Sequence, residues 1–466
     1  MTPAQAQLVD RLRARFGPRI AVTDAADITP WLTDWRGRWT GAASALIQPD
    51  SLEGVAATVA LARELGVALT PQGGNSSMVG GATPPADGRA LILSLRRLAA
   101  VRSVERGHAV AEAGVILETL HAAAASSGQR FPLTLGAKGS ATIGGLVSTN
   151  AGGTQVLRFG SMRALVEGLE AVLPDGSIHR GLSGLKKDNR GPSIDQLFVG
   201  AEGTLGIVTA ARLKLVPAIV SRSVAWLGLD GPAAALAVLR DLERRTDRVE
   251  GFEILPDESL AAALAHIPGT RSPLAGRHPW YALVEATSAG DVPVDLAGLL
   301  EPLLQGGAIA DAAIAASEAQ ALAMWRIRDS LSEAERGAYG PATQHDISVA
   351  VEAMPDFLAS AAATVEAAFP GTHASGFGHL GDGNIHFHVR AGTRGGPDWL
   401  AREGGAVSRL VHDLVTAAGG SISAEHGIGQ MKRDELARLD PARVAHLRAI
   451  KAALDPGGLF NPGKLV

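Results

Sequence analysis

The chain predicts a mixed α+β protein of two or three domains, and three observations carry that expectation. Its 466 residues are 46 % apolar and 19 % charged, enough to bury large cores and too apolar for global disorder. The first half alternates short apolar segments with glycine-rich turns, and glycine supplies 56 of the 466 residues against a usual share of ~7 %. In the second half, strand-length apolar segments alternate with long Ala-rich stretches of helical period, as in an α/β sandwich.

The elements follow in order. MTPAQAQLVDRLRARFG has the pattern of a short amphipathic helix stopped by Gly-Pro. It lacks an apolar h-region, so a cytoplasmic location is expected. No run of 18 apolar residues occurs, so no membrane span is expected. Residues 44–70 read strand, helix, strand, with Ser51 as N-cap and Gly66 as the glycine past the helix end. LILSL, AVAEAG, ATIGGLVSTNAGG, LEAVLPDGSI and TLGIVTAARLKLV read as short β-type segments up to about residue 216, with LPDGS as a turn. Further on, SVAWLGL and YALVEAT read as strands, and the Ala-rich stretch near 310–325 as helix. The expected division is a first domain over 1–218, a second over 219–420 and a C-terminal segment over 421–466.

Composition removes several function classes. With no cysteine, disulfides, thiolate zinc, cysteine nucleophiles and iron–sulfur clusters are excluded from this chain. A net charge of −4 gives no reason to expect nucleic acid. There is no GxxxxGK[ST] phosphate loop. One GxGxxG match, Gly376 to Gly381, runs into NIHFHV, an alternating segment where a dinucleotide fold needs a helix.

Two groups of residues point to chemistry. Four segments set paired glycines beside Ser, Thr or Asn: PQGGNSSMVGG (71–81), LGAKGSATIGG (135–145), NAGG (150–153) and GAEGTLGI (200–207). Any one could be a turn in a β-rich domain. Together they suit the cradle of a long diphosphate-bearing cofactor, since glycine lets backbone N–H groups approach an anion. The second group is imidazole-rich. Six of the 13 His fall between 373 and 426. His386, His388 and Arg390 alternate with Ile385, Phe387 and Val389, giving a strand with a polar front and an apolar back. Gly378, Gly381 and Gly383 let the preceding turn bring His379 near that front, and Glu425-His426 follows in another glycine-flanked turn. Two imidazoles and a carboxylate suit Zn²⁺ or a harder divalent ion; surface or hydrogen-bonded histidines are the alternative.

These loops resemble those of the flavoprotein family related to vanillyl-alcohol oxidase, in its FAD-linked D-2-hydroxyacid dehydrogenase branch. So do DWRGRWTG (34–41), LRFGSM (157–162), DNRG (188–191), GHLGDGNIH (378–386), SAEHGIGQMKRD (423–434) and NPGKLV (461–466). The matches keep the family's order from about residue 34 to the end. LGAKGS and DWRGR resemble D-2-hydroxyglutarate dehydrogenases in particular, with D-lactate and glycolate dehydrogenases as near relatives.

The resemblance implies a two-part FAD-binding domain, an α/β sandwich substrate (cap) domain, and a C-terminal segment that returns to the first domain carrying Glu425 and His426. It places the FAD diphosphate on Gly73, Gly74, Asn75 and Ser76, next to Pro71 and Gly80. Leu135, Gly136, Gly139, Ser140, Thr142, Gly145, Asn150 and Gly153 would line the cofactor, as would Glu202, Gly203, Gly206, Ile207 and Asn461. Some relatives attach FAD through a His in the first loop. Asn75 stands in that place here, so the expected FAD is non-covalent. By the same resemblance His379, His386 and Glu425 are ligands of Zn²⁺ or another divalent metal such as Mn²⁺, and His426 is the general base. Asn384 sits beside the ligands, and Asp382 is the candidate partner fixing an imidazole tautomer.

Arg328 maps to a substrate arginine and Ser332 to a hydroxyl that is Thr in D-2-hydroxyglutarate enzymes. Gln344 and His388 depart from that pattern, in which Lys and Asn stand. The expected substrate is D-2-hydroxyglutarate, with D-lactate or another monocarboxylic D-2-hydroxy acid as the alternative. The FAD subunit of a glycolate-oxidising complex and a non-catalytic flavin- or metal-binding protein are further alternatives. Electron-transfer flavoprotein or a quinone-linked acceptor, and a homodimer, are the partners the family suggests.

Overall fold

The computed structural model describes residues 1–396 and 398–466. They form two compact units. The first comprises Met1–Gly153, Gly160–Ala218 and Glu425–Val466, the second Thr154–Phe159 and Ile219–Ala424.

The first unit opens with helix Pro3–Phe16. Thr2 and Gln5 cap it reciprocally, and it buries Leu8, Val9 and Leu12. Strands β1 (Ala21–Val22), β2 (Leu46–Ile47), β3 (Ala68–Gln72) and β4 (Ala90–Ser94) form a sheet in the order β1-β2-β4-β3, parallel from β2 onward. Helix Leu52–Leu65 connects β2 to β3. It starts at Ser51, whose side chain accepts the Gly54 N–H, and ends at left-handed Gly66, as expected. The second sheet is antiparallel. It uses β5 (Val101–Glu105) and β6 (His108–Glu112), then, beyond the short strand β7 (Gln129–Arg130), β8 (Val166–Val172), β9 (Ile178–Arg180) and β10 (Ile207–Lys214), in the order β5-β6-β10-β8-β9. β11 (Val216–Pro217) pairs with β7. The LPDGS turn joins β8 to β9, with Leu173 and Ser177 bonded across it. The chain end is stitched to β3 by Leu69 N–H to Leu459 O and Asn461 N–H to Leu69 O (both 2.8 Å). This lets Phe460 join a core with Leu8, Val55, Val59, Leu69, Leu91 and Ile207.

One expected β-type segment is a helix. In ATIGGLVSTNAGG, residues Ile143–Thr149 are helical and end at left-handed Asn150. Ile143, Leu146 and Val147 are the buried set, spaced i, i+3, i+4. Gly144 lies where a Cβ would come within 2.7 Å of the Ala113 Cβ. Close packing on the β6 turn thus requires glycine and overrides its poor helix propensity.

The second unit is built on seven strands: β12 (Ser221–Leu229), β13 (Val249–Pro256), β14 (Trp280–Ser288), β15 (Asp311–Ile314), β16 (Ala342–Ser348), β17 (His373–His379) and β18 (Asn384–Arg390). Their order is β15-β12-β14-β13-β17-β18-β16, with every pair antiparallel. Helices cover both faces. Ala225, Leu227 and Leu229 of β12 face one core with helices Pro232–Arg245, Leu296–Gln305, Met354–Ala368 and Trp399–Ala417. Val224 and Trp226 face the other, with helices Asp257–His266, Glu318–Asp329 and Leu331–Tyr339. The stretch near 310–325 is not all helix. Asp311–Ile314 pairs with β12 at the sheet edge, and the helix begins only after Ser317, whose side chain caps Gln320. Thr154–Phe159 belongs to this unit through Arg158, which donates to Glu250 (2.7 Å) and Thr287 (3.2 Å). Among the described residues no helix is long and apolar enough to cross a membrane.

Candidate active site

In the first unit, chain segments far apart in sequence meet through glycine. β3 runs out at Gln72 into Gly73-Gly74, and Asn75 takes a left-handed conformation (φ 53°). A Cβ on Gly73 would lie 2.2 Å from Thr142 Oγ1, and one on Gly74 would lie 2.0 Å from the Ser140 carbonyl. The 71–81 and 135–145 segments therefore touch at their backbones, where no side chain fits. Gly153 abuts the Thr134 carbonyl and Gly203 abuts Pro71 in the same way. Glu202 N–H donates to the Ser148 carbonyl (2.7 Å), bringing the 200–207 segment onto helix Ile143–Thr149. Arg96 also pins the loop: its Nε and Nη2 donate to the Gly73 and Gly74 carbonyls (3.0 Å each). No glycine motif marks this arginine, so sequence reading passed over it.

The other expected cofactor residues divide by what their side chains do. Thr142 Oγ1 is buried with no hydrogen-bond partner, as is Asn461 Oδ1. Unsatisfied buried polar atoms of this kind call for a ligand or water. Asn75 Nδ2 donates to the Thr33 carbonyl (2.9 Å), and Asn150 Oδ1 accepts from Ser161 Oγ and the Arg163 N–H. Gly136, Gly139 and Ser140 lie on an exposed turn, while Leu135 and Ser76 are half-buried. Gly80 packs against Gln430 and Trp39, Gly145 beside Thr142, and Gly206 against Phe198. The Ile207 side chain is spent in the core. Both Glu202 carboxylate oxygens are spent too, accepting the N–H groups of Ile428 and Gly429 (2.7 Å each).

In the second unit the polar front is the β17–β18 hairpin. Ile385, Phe387 and Val389 are fully buried in one core, as their alternation predicts. Gly383 (φ 79°) closes the turn, where a Cβ would meet the Val349 carbonyl at 2.1 Å. That turn sets His379 opposite Asn384 and brings the His379 and His386 rings to 5.5 Å between centroids. Asn384 is buried. Its Nδ2 donates to Asp346 Oδ1 (2.9 Å) and the Ile347 carbonyl (3.0 Å). Ala424, the last residue of this unit, has its N–H 3.4 Å from the Asp346 carbonyl, and Glu425 follows directly on it. His426, next in the chain, is half-buried.

The tautomer-fixing partner is Glu253 of β13, not Asp382. His379 Nδ1 lies 2.7 Å from Glu253 Oε1. Asp382 instead accepts the Asn384 N–H (3.0 Å), and burial raises its pKa. Glu253 is fully buried. Burial alone would raise its pKa, but Arg328 and His379 outweigh that and hold it at about 2. Arg328 Nε donates to Glu253 Oε2 (2.7 Å), and its Nη2 lies 3.0 Å from His379 Nε2. Glu253 therefore orients both groups. It was missed because it stands 126 positions from His379 in an apolar strand.

Gln344 is the β16 neighbour of His388. It is half-buried, as is Ser332 on helix Leu331–Tyr339. His388 and Arg390 both meet buried Glu335: His388 Nδ1 at 2.7 Å and Arg390 Nη2 at 3.2 Å. Arg390 Nη1 also meets Glu258 (3.2 Å). Beyond Arg390, at the hairpin end opposite His379, a cavity of about 400 Å³ opens beside Tyr339 and His373.

The chain matches two family models: an FAD binding domain over residues 43–181 and the C-terminal domain of FAD linked oxidases over 220–465. It is 38 % identical to a D-2-hydroxyglutarate dehydrogenase of Xanthomonas citri, over 95 % of this chain and 93 % of that protein. The chain belongs to the FAD-linked oxidase family. It is an FAD-dependent oxidoreductase. Another member, the mitochondrial D-2-hydroxyglutarate dehydrogenase of Bos taurus, is 35 % identical over 97 % of this chain and 82 % of its own length. A putative mitochondrial D-lactate dehydrogenase of Schizosaccharomyces pombe is 31 % identical over 95 % and 86 %. The fold is that of solved p-cresol methylhydroxylase (TM-score 0.76, 15 % identity, covering 100 % of this chain and 97 % of that one). It is also that of alkyldihydroxyacetonephosphate synthase (TM-score 0.75, 18 % identity, covering 99 % and 85 %).

Proposed function

We propose that this member of the family oxidises a D-2-hydroxy acid to the 2-oxo acid, with D-2-hydroxyglutarate as first choice of substrate. The observation that carries this reading is the pairing of His379 and His386 across the β17–β18 turn, in a chain 38 % identical, over nearly its whole length, to a D-2-hydroxyglutarate dehydrogenase; with Glu425 as the proposed third ligand they make a two-histidine, one-carboxylate donor set. That donor set fits Zn²⁺ or Mn²⁺, and when bound the ion would supply Lewis acidity toward the substrate hydroxyl. FAD, held without a covalent bond, supplies the two-electron acceptor for the Cα hydride. His426 takes the hydroxyl proton, its ordinary pKa near 6.5 suiting a base at neutral pH. Glu253, 2.7 Å from Nδ1 of His379, orients that ring. Arg328, oriented by the same carboxylate, offers its remaining N–H groups to a substrate carboxylate. The acceptor proposed for the electrons that FAD would carry is electron-transfer flavoprotein or a quinone-linked acceptor.

One observation favours a monocarboxylic substrate instead. Arg390 on the hairpin is already paired with Glu335 and Glu258, and His388 is held by the same Glu335. A second substrate carboxylate gains little from them. Anaerobic flavin bleaching with D-2-hydroxyglutarate and D-lactate in parallel decides the substrate. Bleaching by D-lactate alone selects the monocarboxylate, and no bleaching by either removes the reaction. His426→Ala should keep its FAD yet reduce it ~10²–10⁴-fold more slowly. Near wild-type reduction would end the role of His426 as base.

A further inference from the structure

Glu202 is the buried acid of the first unit whose partners bear on the turn carrying His426. Its backbone is left-handed (φ 50°), with its N–H on the Ser148 carbonyl and its own carbonyl accepting Asn461 Nδ2 (2.7 Å each). Its two carboxylate oxygens take the N–H groups of Ile428 and Gly429, both at 2.7 Å. These are short, charge-assisted bonds to consecutive amides. The same turn is held from its other side. The Val79 carbonyl accepts the N–H groups of Gln430 (3.1 Å) and Met431 (3.2 Å), and the Gly80 carbonyl accepts Gln430 Nε2 (3.2 Å). Gly429 (φ 53°) fits between, since a Cβ there would stand 2.3 Å from the Val79 carbonyl. A Cβ on Gly427 (φ 84°) would stand 3.0 Å from Glu202 Oε1. The segment from 427 to 431 is thus clamped, and His426 is the residue immediately before it.

We infer that Glu202 is a positioning residue for His426, acting through the Ile428 and Gly429 amides and not through the cofactor. The inference rests on His426 as the base. Glutamate suits the task because a carboxylate only accepts, so both oxygens can serve adjacent N–H donors. An amide in its place turns one acceptor into a donor facing an N–H group.

The test compares Glu202→Gln and Glu202→Asp with the wild-type holoenzyme. It measures flavin content, amide hydrogen exchange across residues 425–432, and anaerobic flavin reduction by D-2-hydroxyglutarate or D-lactate as a function of pH. For Glu202→Gln the expected result is retained FAD and exchange faster by roughly 10-fold or more in that segment. The limiting rate constant of reduction should fall ~100-fold, as misplacing a reacting group by about an ångström does, with little change in apparent substrate affinity. Glu202→Asp, which keeps both acceptors, should recover part of the rate and of the exchange protection. If Glu202→Gln does not fold, Glu202→Asp carries the test through the same three readouts. Unchanged exchange with unchanged reduction overturns the inference. So does loss of FAD with exchange intact, which would return the carboxylate to the cofactor. Faster exchange with an unchanged reduction rate also overturns it, because the clamp would then not serve His426. Should wild-type flavin be bleached by neither acid, it is the functional reading that fails, and the inference resting on it falls for that separate reason.

Discussion

The two units build their functional surfaces from different materials. The glycine-loop unit uses backbone: Gly73, Gly74, Gly153 and Gly203 stand where a Cβ would strike a carbonyl or a side chain. The seven-stranded unit uses side chains. His379, Arg328, His388 and Arg390 project from sheet and helix, and each is held by a buried carboxylate, Glu253 or Glu335. The difference shows two routes to preorganisation. A backbone cradle is rigid because nothing larger than hydrogen fits. A side-chain cluster is rigid because each of these nitrogen-bearing groups has a buried carboxylate beside it.

That contrast should be sharpest in Gly74→Ala. Gly74 has no left-handed strain, so the added methyl acts by sterics alone against the Ser140 carbonyl. Overpacking of this kind costs about 1–3 kcal/mol, which would weaken FAD binding by ~10–100-fold if the loop moves. Flavin release followed by fluorescence measures it. Gly405→Ala, at an exposed helical position with open space around it, should instead stabilise by ~1 kcal/mol. Equal responses at the two sites would erase the distinction between cradle and scaffold.

Glu253→Gln addresses the other unit. It removes the charge that orients His379 and Arg328, so divalent-metal affinity should fall ~10–100-fold with flavin content unchanged. Chelator competition reads the first and absorbance the second. Wild-type metal affinity would leave Glu253 a structural ion pair only.

The smallest effect is expected at Glu258. Burial would raise its pKa, but hydrogen bonds from His373 and Ser375 and the charge of Arg390 hold it at about 2, against an ordinary 4.5. Its contribution to stability is complete above pH 4.5 and is lost as pH falls toward 2. His373 is shifted upward, first by its bond to Glu258. Its contribution is complete below pH 6.5 and is lost as pH rises through the raised value. Glu258→Gln should flatten both limbs of a urea-midpoint profile. A profile parallel to wild type would show that the half-exposed pair adds nothing.

What the sequence determined by itself was local. Alternation in NIHFHV set which side chains of β18 enter the core, because a strand has period two. Ser51 and Gly66 marked a helix, because caps are read within one turn. LPDGS marked the turn between β8 and β9, and motif resemblance led to the family. Tertiary structure decided the rest. Ile143–Thr149 became a helix because Gly144 packs on Ala113, a contact local propensity does not contain. β15 formed because the edge of β12 was there to pair with it. The partner of His379 turned out to be Glu253, and the holder of the 427–431 turn Glu202, 226 positions before Ile428. Charges and hydrogen bonds act over a few ångströms of space whatever the chain distance between their bearers. Sequence order therefore points to the groups that do chemistry, and only the fold reveals which groups hold them in place.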